Sequence, residues 1–116
     1  MNEHTHMYPM PSAEFSQKRR ELAPETDRTF KEFSRQVFAP GALDAKTKQL
    51  MAVAVAHVTQ CPYCIRGHTK GALRAGATEP EIIEAIWVAA EMRAGGAVAH
   101  SVIALRAMAD EAHPAP

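Results

Sequence analysis

An apolar run near the middle of the chain constrains the fold more than any other feature of this sequence. Residues 50–58 read LMAVAVAHV, and in a helix of this sequence apolar side chains would lie on every side. Such a helix is stable when its whole surface is buried. The alternation of alanine with valine is also compatible with a strand, but alanine and the flanking cap residues favour a helix. We therefore predict a helix that is buried all round.

Cap residues and prolines predict two helices before this run. They also predict where the apolar helix itself begins. Ser12 is a candidate N-cap for a helix over residues 13–22. Pro24 suits the first turn of a second helix over residues 24–38, because proline lacks the N–H that is unpaired there. Asp44 is the candidate N-cap of the apolar helix itself.

Further signals follow the run. A helix that begins at Cys61-Pro62 should end before Gly76, since glycine is favoured just past a helix C-terminus. Thr78 and Glu81 have the spacing of a capping box, which opens a helix to about Arg93. The sequence Ala94-Gly95-Gly96 is expected to break or kink the chain before a last helix.

These signals predict an all-α bundle of about five to six helices. We expect a flexible arm over residues 1–12, a single domain over residues 13–110 and a tail over residues 111–116. Two nearly all-apolar helices in a chain of 116 residues would expose more apolar surface than a monomer can hide. The chain is therefore expected to be an obligate homo-oligomer.

Charge and composition limit the classes of binding partner and the cellular compartment that we expect for this protein. Thirteen basic and thirteen acidic residues cancel, so a nucleic-acid partner is not expected. The first ten residues lack the apolar core of a secretory signal, and no apolar run is long enough for a membrane span. We expect a cytoplasmic protein with no membrane partner. In that reducing compartment a cysteine pair is more often catalytic, redox-sensing or metal-binding than a permanent disulfide.

The chemistry is concentrated in the segment CPYCIRGH. If Cys61 is the N-cap of a helix and Cys64 lies in its first turn, free N–H groups and the helix dipole favour a thiolate. His68 lies one turn after Cys64 on the same face, where an imidazole can accept a proton. His57, one turn before Cys61, could lie over the sulfurs from the other side.

The cysteine pair also has two interpretations that involve no redox chemistry. Buried free cysteines are common and often inert. Cys61, Cys64 and His68 could also bind zinc, but on one continuous helix Cys61 and His68 are roughly 10 Å apart. Zinc ligands must lie within about 4 Å of each other, and the chain has no second cysteine pair. We expect neither a metal nor a cofactor, and redox chemistry is favoured.

Residues 43–101, from LDAKTKQLM through CPYCIRGH to GATEPEI and beyond, resemble the alkylhydroperoxidase D-like (AhpD-like), carboxymuconolactone decarboxylase family. The resemblance implies an all-helical AhpD-like fold that assembles as trimers, dimers or hexamers. A hexamer built as a trimer of dimers is the assembly that we expect.

The resemblance also implies roles for individual residues. Cys64 would attack the peroxide, Cys61 would resolve the product as a disulfide, and His68 would belong to a proton relay. The family's relay includes a glutamate, and at that position this chain has Gln49. An amide cannot take up a proton, although it can orient the imidazole. His57 or Glu91 could replace the glutamate, with His57 slightly favoured because its pKa suits proton transfer.

The predicted function is therefore that of a thiol-dependent peroxidase or disulfide reductase that acts on alkyl hydroperoxides. The expected reductant is a lipoyl-bearing or other dithiol protein, and a peroxiredoxin is a candidate partner. Two alternatives stay open: a non-catalytic redox sensor or thiol module, and a lactone-processing decarboxylase with a spectator cysteine pair.

Overall fold

The computed structural model describes residues 7–116, and within them the chain forms five α-helices and no strand. The helices are α1 (Ala13–Leu22), α2 (Pro24–Phe38), α3 (Ala45–Thr59), α4 (Pro62–Arg74) and α5 (Glu79–Ala112). The predicted all-α fold is confirmed. Residues 1–6 of the predicted N-terminal arm lie outside the described residues. Helix α5 ends at Ala112 and so includes the first two residues of the tail predicted over residues 111–116.

The chain divides into two compact units, of which the first ends at Ala45 and contains α1 and α2. Both helices begin as their sequence predicts. The Ser12 hydroxyl accepts a hydrogen bond from the Phe15 N–H at 3.1 Å, and Pro24 occupies the first turn of α2. Neither helix contains a buried residue, and several large apolar side chains of this unit, Phe30 and Phe33 among them, are exposed.

The second unit, Lys46–Pro116, contains a tight reversal between α3 and α4. Gln60 adopts a left-handed conformation with φ of 59°, and the Cys61 N–H donates to the Ala56 carbonyl at 3.2 Å. A left-handed conformation costs about 1–2 kcal/mol in a residue other than glycine. The strained residue, Gln60, directly precedes Cys61, the N-cap of α4.

The end of α4 is closed by the glycine that the sequence indicated. Gly76 has a φ of 95°, and its N–H donates to the Leu73 carbonyl at 3.0 Å. The next N–H, of Ala77, donates to the Ala72 carbonyl at 2.9 Å. These two bonds form the Schellman motif, which satisfies carbonyl groups at a helix C-terminus.

The N-terminus of α5 is fixed by the predicted capping box. The Thr78 hydroxyl accepts from the Glu81 N–H, and the Glu81 carboxylate accepts from the Thr78 N–H at 2.8 Å. The Lys46 ammonium also lies 2.9 Å from the Glu81 carboxylate. Hydrogen bonding to Lys46, followed by the bond from the Thr78 backbone, lowers the pKa of Glu81. The start of α3 is thus tied to the start of α5.

The predicted break at Ala94-Gly95-Gly96 is wrong, because α5 runs without interruption from Glu79 to Ala112. Glycine within a helix costs about 1 kcal/mol relative to alanine, but it removes no hydrogen bond. Neither Gly95 nor Gly96 has the positive φ that would end the helix, and no proline follows directly.

No helix in residues 7–116 combines the length and the apolar character needed to cross a membrane.

The prediction that the apolar helix is buried all round is also wrong for the single chain. Val53 and Ala56 of α3 are buried, whereas Met51, Val55 and Val58 are about half exposed. The buried face joins a small core that comprises Val53, Ala72, Ala77 and Ile82, with Leu50 and Ile86 packed against it. Neighbouring helices of the same chain cover one face of α3 and leave the opposite face open.

The left-handed glycine at the end of α4 generates a stability prediction with a matched control. Gly76→Ala forces a Cβ into a left-handed conformation and should lower the free energy of unfolding by about 1 kcal/mol. Gly67→Ala, inside α4 with open space around its Cβ position, should raise it by about 0.5–1 kcal/mol. Chemical denaturation at equal protein concentration measures both. Equal stability of the two variants would contradict this account of Gly76.

Candidate functional site

The N-terminus of α4 brings the two cysteines together. Cys61 is the N-cap residue, and its sulfur accepts the Cys64 N–H at 3.3 Å. Pro62 occupies the first turn, where its missing N–H costs nothing. Both cysteines are free thiols, with Cys61 half-buried and Cys64 exposed. The predicted placement of the pair at a helix N-terminus is confirmed.

The two thiols differ in acidity because the Cys64 thiol donates a hydrogen bond to the Cys61 sulfur. The hydrogen bond from the Cys64 thiol, together with that from the Cys64 N–H, lowers the pKa of Cys61. The pKa of Cys64 is raised, first because its proton is held by the Cys61 sulfur and second because of partial burial. This hydrogen bond therefore favours the thiolate form of Cys61 and the protonated form of Cys64.

A second contact joins α3 to α4. The side-chain oxygen of Gln49 lies 2.9 Å from Nδ1 of His68, and both side chains are half-buried. A carbonyl oxygen can only accept a hydrogen bond, so His68 donates Nδ1–H to Gln49. In its neutral form His68 then carries its lone pair on Nε2, which is the nitrogen able to take up a proton. His68 lies one helical turn after Cys64.

Gln49 is thus the predicted relay candidate that the structure brings to His68. Its amide fixes the tautomer and the orientation of the imidazole, as a carboxylate would, but it adds no negative charge. The imidazolium form of His68 therefore donates a hydrogen bond to this partner and forms no ion pair with it.

The other two candidates make different contacts. Nδ1 of His57 lies 2.7 Å from the Val53 carbonyl, so this ring donates a hydrogen bond within its own helix. The exposed Glu91 carboxylate lies over Gly95 of α5, 3.2 Å from where a Cβ of that glycine would stand. Their roles as relay groups stay predictions.

In the part of the chain that the structure describes, no three His, Cys, Asp or Glu side chains are arranged to hold a metal ion.

The sequence analysis missed one residue next to this site. A Cβ at Gly71 would lie 2.6 Å from the Gln49 side-chain oxygen and 2.9 Å from its amide carbon. The amide therefore rests directly against the backbone of α4. A glycine inside an otherwise helical pattern can indicate such a close approach, but the sequence does not say which group approaches.

Comparison with known proteins identifies relatives of this chain. The family model of the carboxymuconolactone decarboxylase family matches residues 24–107. A protein of Paracoccus denitrificans, named uncharacterized protein 4 in cox locus, is 67% identical over 85 residues. That match covers 73% of this chain and 76% of the Paracoccus protein.

Solved structures of related chains have the same fold. A Methanobacterium thermoautotrophicum protein matches with a TM-score of 0.67 and 40% identity over 72% of this chain and 93% of its own. A carboxymuconolactone decarboxylase family protein of Legionella pneumophila, in its apo form, matches with a TM-score of 0.63 and 34% identity, over 80% and 83% of the two chains. A Thermotoga maritima family member, described with a possible involvement in antioxidative response, matches with a TM-score of 0.54 and 35% identity, over 66% and 70%.

The hydrogen bond between the thiols generates a titration prediction. The wild-type dithiol should ionise in two separated steps, because forming the Cys61 thiolate makes the Cys64 proton harder to remove. Cys64→Ala removes the donor to Cys61 and should move the Cys61 pKa above the first wild-type step. Cys61→Ala removes the acceptor and should move the Cys64 pKa below the second step. Thiolate ultraviolet absorbance of the reduced proteins against pH measures all three curves, and single-thiol curves that fall outside the wild-type steps would contradict this hydrogen bond.

Proposed function

The chain belongs to the carboxymuconolactone decarboxylase family, and from this membership and its cysteine pair we propose that it is a thiol-dependent peroxidase and disulfide reductase. The observation that carries the proposal is the Cys61–Cys64 dithiol at the N-terminus of α4, with His68 held by Gln49 one turn away. A spectator pair would need neither the acidified thiol nor the oriented imidazole. The Thermotoga relative's description in terms of an antioxidative response is consistent with this chemistry.

The first step that we propose is attack by Cys64 on a hydroperoxide. Because the pKa of Cys64 is raised, this thiol needs a base, and Nε2 of His68 takes its proton. The thiolate then attacks the terminal oxygen, and the O–O bond breaks. The leaving alkoxide takes the proton back from His68, so the products are an alcohol and the sulfenic acid of Cys64.

The second step uses the acidity of Cys61. Its thiolate attacks the sulfur of the Cys64 sulfenic acid, the S–O bond breaks, and hydroxide leaves as water once it is protonated. The lowered pKa of Cys61 favours the thiolate that this attack needs. A partner dithiol, in our proposal that of a lipoyl-bearing protein, then reduces the Cys61–Cys64 disulfide by two thiol exchanges. A peroxiredoxin is a further candidate partner, and a reducing cytoplasm suits the cycle.

We also propose that the working form is a homo-oligomer. Every residue from 97 to 116 is exposed in the single chain. The exposed side chains of α5 include a series of large apolar groups, namely Trp87, Val88, Met92, Val98, Val102, Ile103, Leu105 and Met108. A helix that exposes this much apolar surface is expected to pack against another copy. Our proposal is a hexamer built as a trimer of dimers, with a trimer or a dimer as the smaller alternatives.

Sedimentation velocity tests the assembly. The wild-type chain should sediment as a hexamer, and Val102→Glu should sediment as a smaller species, because it places a charge on the apolar face of α5. His100→Glu, which introduces the same carboxylate at an exposed position on the opposite side of α5, serves as the control. A monomeric wild-type protein would contradict the proposal.

Stopped-flow reduction of an organic hydroperoxide tests the catalytic proposal. Cys64→Ser should reduce the rate to the uncatalysed background, since no nucleophile remains in the position served by His68. Cys61→Ser should react once and stop at the sulfenic acid, because it lacks the resolving thiol. His68→Gln should lower the rate by roughly 10²–10⁴-fold, the usual contribution of a general base.

Three results would point elsewhere. A wild-type rate in Cys64→Ser would overturn the assignment of the nucleophile. A reversible disulfide without turnover under any dithiol reductant would favour the redox sensor. Lactone-processing activity that survives replacement of both cysteines would favour the decarboxylase.

A further inference from the structure

The absence of a side chain at Gly71 defines the space in which Gln49 meets His68. A Cβ built on Gly71 would lie 2.6 Å from the Gln49 oxygen and 3.3 Å from its amide nitrogen. The same oxygen accepts the hydrogen bond from His68 Nδ1 at 2.9 Å. The amide that orients the imidazole therefore occupies space that any residue other than glycine would fill.

Two other glycines of the described chain provide the contrast. A Cβ at Gly67, in the same helix, would meet nothing within 4 Å, and neither would one at Gly96. The close approach at Gly71 is thus a local property of this site and not of helical glycines in general. Glycine inside a helix costs about 1 kcal/mol relative to alanine, so α4 would gain stability from alanine at position 71 if Gln49 were not there.

A methyl group at this position would displace the amide and not the helix. The clashing atoms belong to the end of a flexible side chain, whereas the α4 backbone is held by its own hydrogen bonds. Gln49 would therefore rotate away from His68. The imidazole would lose the acceptor that fixes its tautomer, and Nε2 would no longer be the sole unprotonated nitrogen in the neutral ring.

We infer that Gly71 is a positioning residue, whose missing side chain lets the Gln49 amide hold His68 in the Nδ1–H tautomer. It touches neither the thiols nor the peroxide, and it acts through Gln49. The effect on catalysis rests on the proposed function, whereas the effect on the tautomer does not. The two are therefore measured separately.

Nitrogen NMR of the histidine rings tests the positioning role directly. The wild-type signal of His68, assigned by its loss in His68→Gln, should show a protonated Nδ1 and an unprotonated Nε2 at a pH where the ring is neutral. Gly71→Ala should convert it to a mixture of tautomers, and Gly67→Ala should leave it unchanged. Chemical denaturation should find Gly71→Ala about as stable as the wild type, because alanine favours the helix while the Gln49–His68 hydrogen bond is lost. That result separates loss of positioning from loss of fold.

A double variant that combines Gln49→Ala with Gly71→Ala tests whether Gly71 acts through the amide. With the amide removed, Gly71→Ala should change neither the tautomer nor the hydroperoxide rate any further. In the wild-type background the same substitution should lower that rate roughly fivefold, the effect of one lost neutral hydrogen bond. Gly67→Ala should leave the rate unchanged.

Two results would overturn the inference. One is a wild-type tautomer of His68 in Gly71→Ala. The other is an equal effect of Gly71→Ala with and without the Gln49 amide. If the wild-type protein shows no peroxidase activity, the proposed function fails while the NMR result still decides the role of Gly71.

Discussion

The burial of a few small side chains between α3, α4 and the start of α5 is the constraint on which the site depends. Val53 and Ala72 are fully buried, and each lies one helical turn after a residue of the site, Gln49 and His68 respectively. The helix faces that form the core are thus also the faces that carry the amide and the imidazole. Burying a valine side chain contributes about 1.5–3 kcal/mol, and the same packing keeps α3 close enough to α4 for the hydrogen bond.

Features governed by neighbouring residues could be predicted from the sequence, and features governed by distant contacts could not. The Ser12 cap, the Thr78–Glu81 capping box and the left-handed Gly76 each depend on a few adjacent residues, and each is present. The break expected at Gly95-Gly96 is absent because the cost of glycine in a helix is smaller than the cost of ending the helix there. The half-exposed surface of α3 could not be foreseen, because burial depends on which helices fold against it.

In the candidate site, too, features set by neighbouring residues could be predicted and features set by packing between helices could not. The spacing of Cys61, Cys64 and His68 is local to one helix, and the sequence located all three. Which group faces His68 is set by the packing of α3 on α4. The sequence therefore left Gln49, His57 and Glu91 as candidates, and only the structure brings Gln49 to the imidazole. The close approach at Gly71 depends on the same packing and had no sequence signal specific enough to identify it.

The N-cap role of Cys61 links the stability of the first turn of α4 to the charge on the Cys61 sulfur. As a thiolate, Cys61 accepts the Cys64 N–H and interacts favourably with the positive end of the helix dipole. A disulfide sulfur carries no charge and accepts hydrogen bonds weakly, so oxidation removes this stabilisation from the first turn. Whatever stabilises the reduced form over the oxidised form raises the reduction potential of the pair. In the proposed redox cycle, the helix terminus would therefore make a disulfide between Cys61 and Cys64 easier for a partner dithiol to reduce.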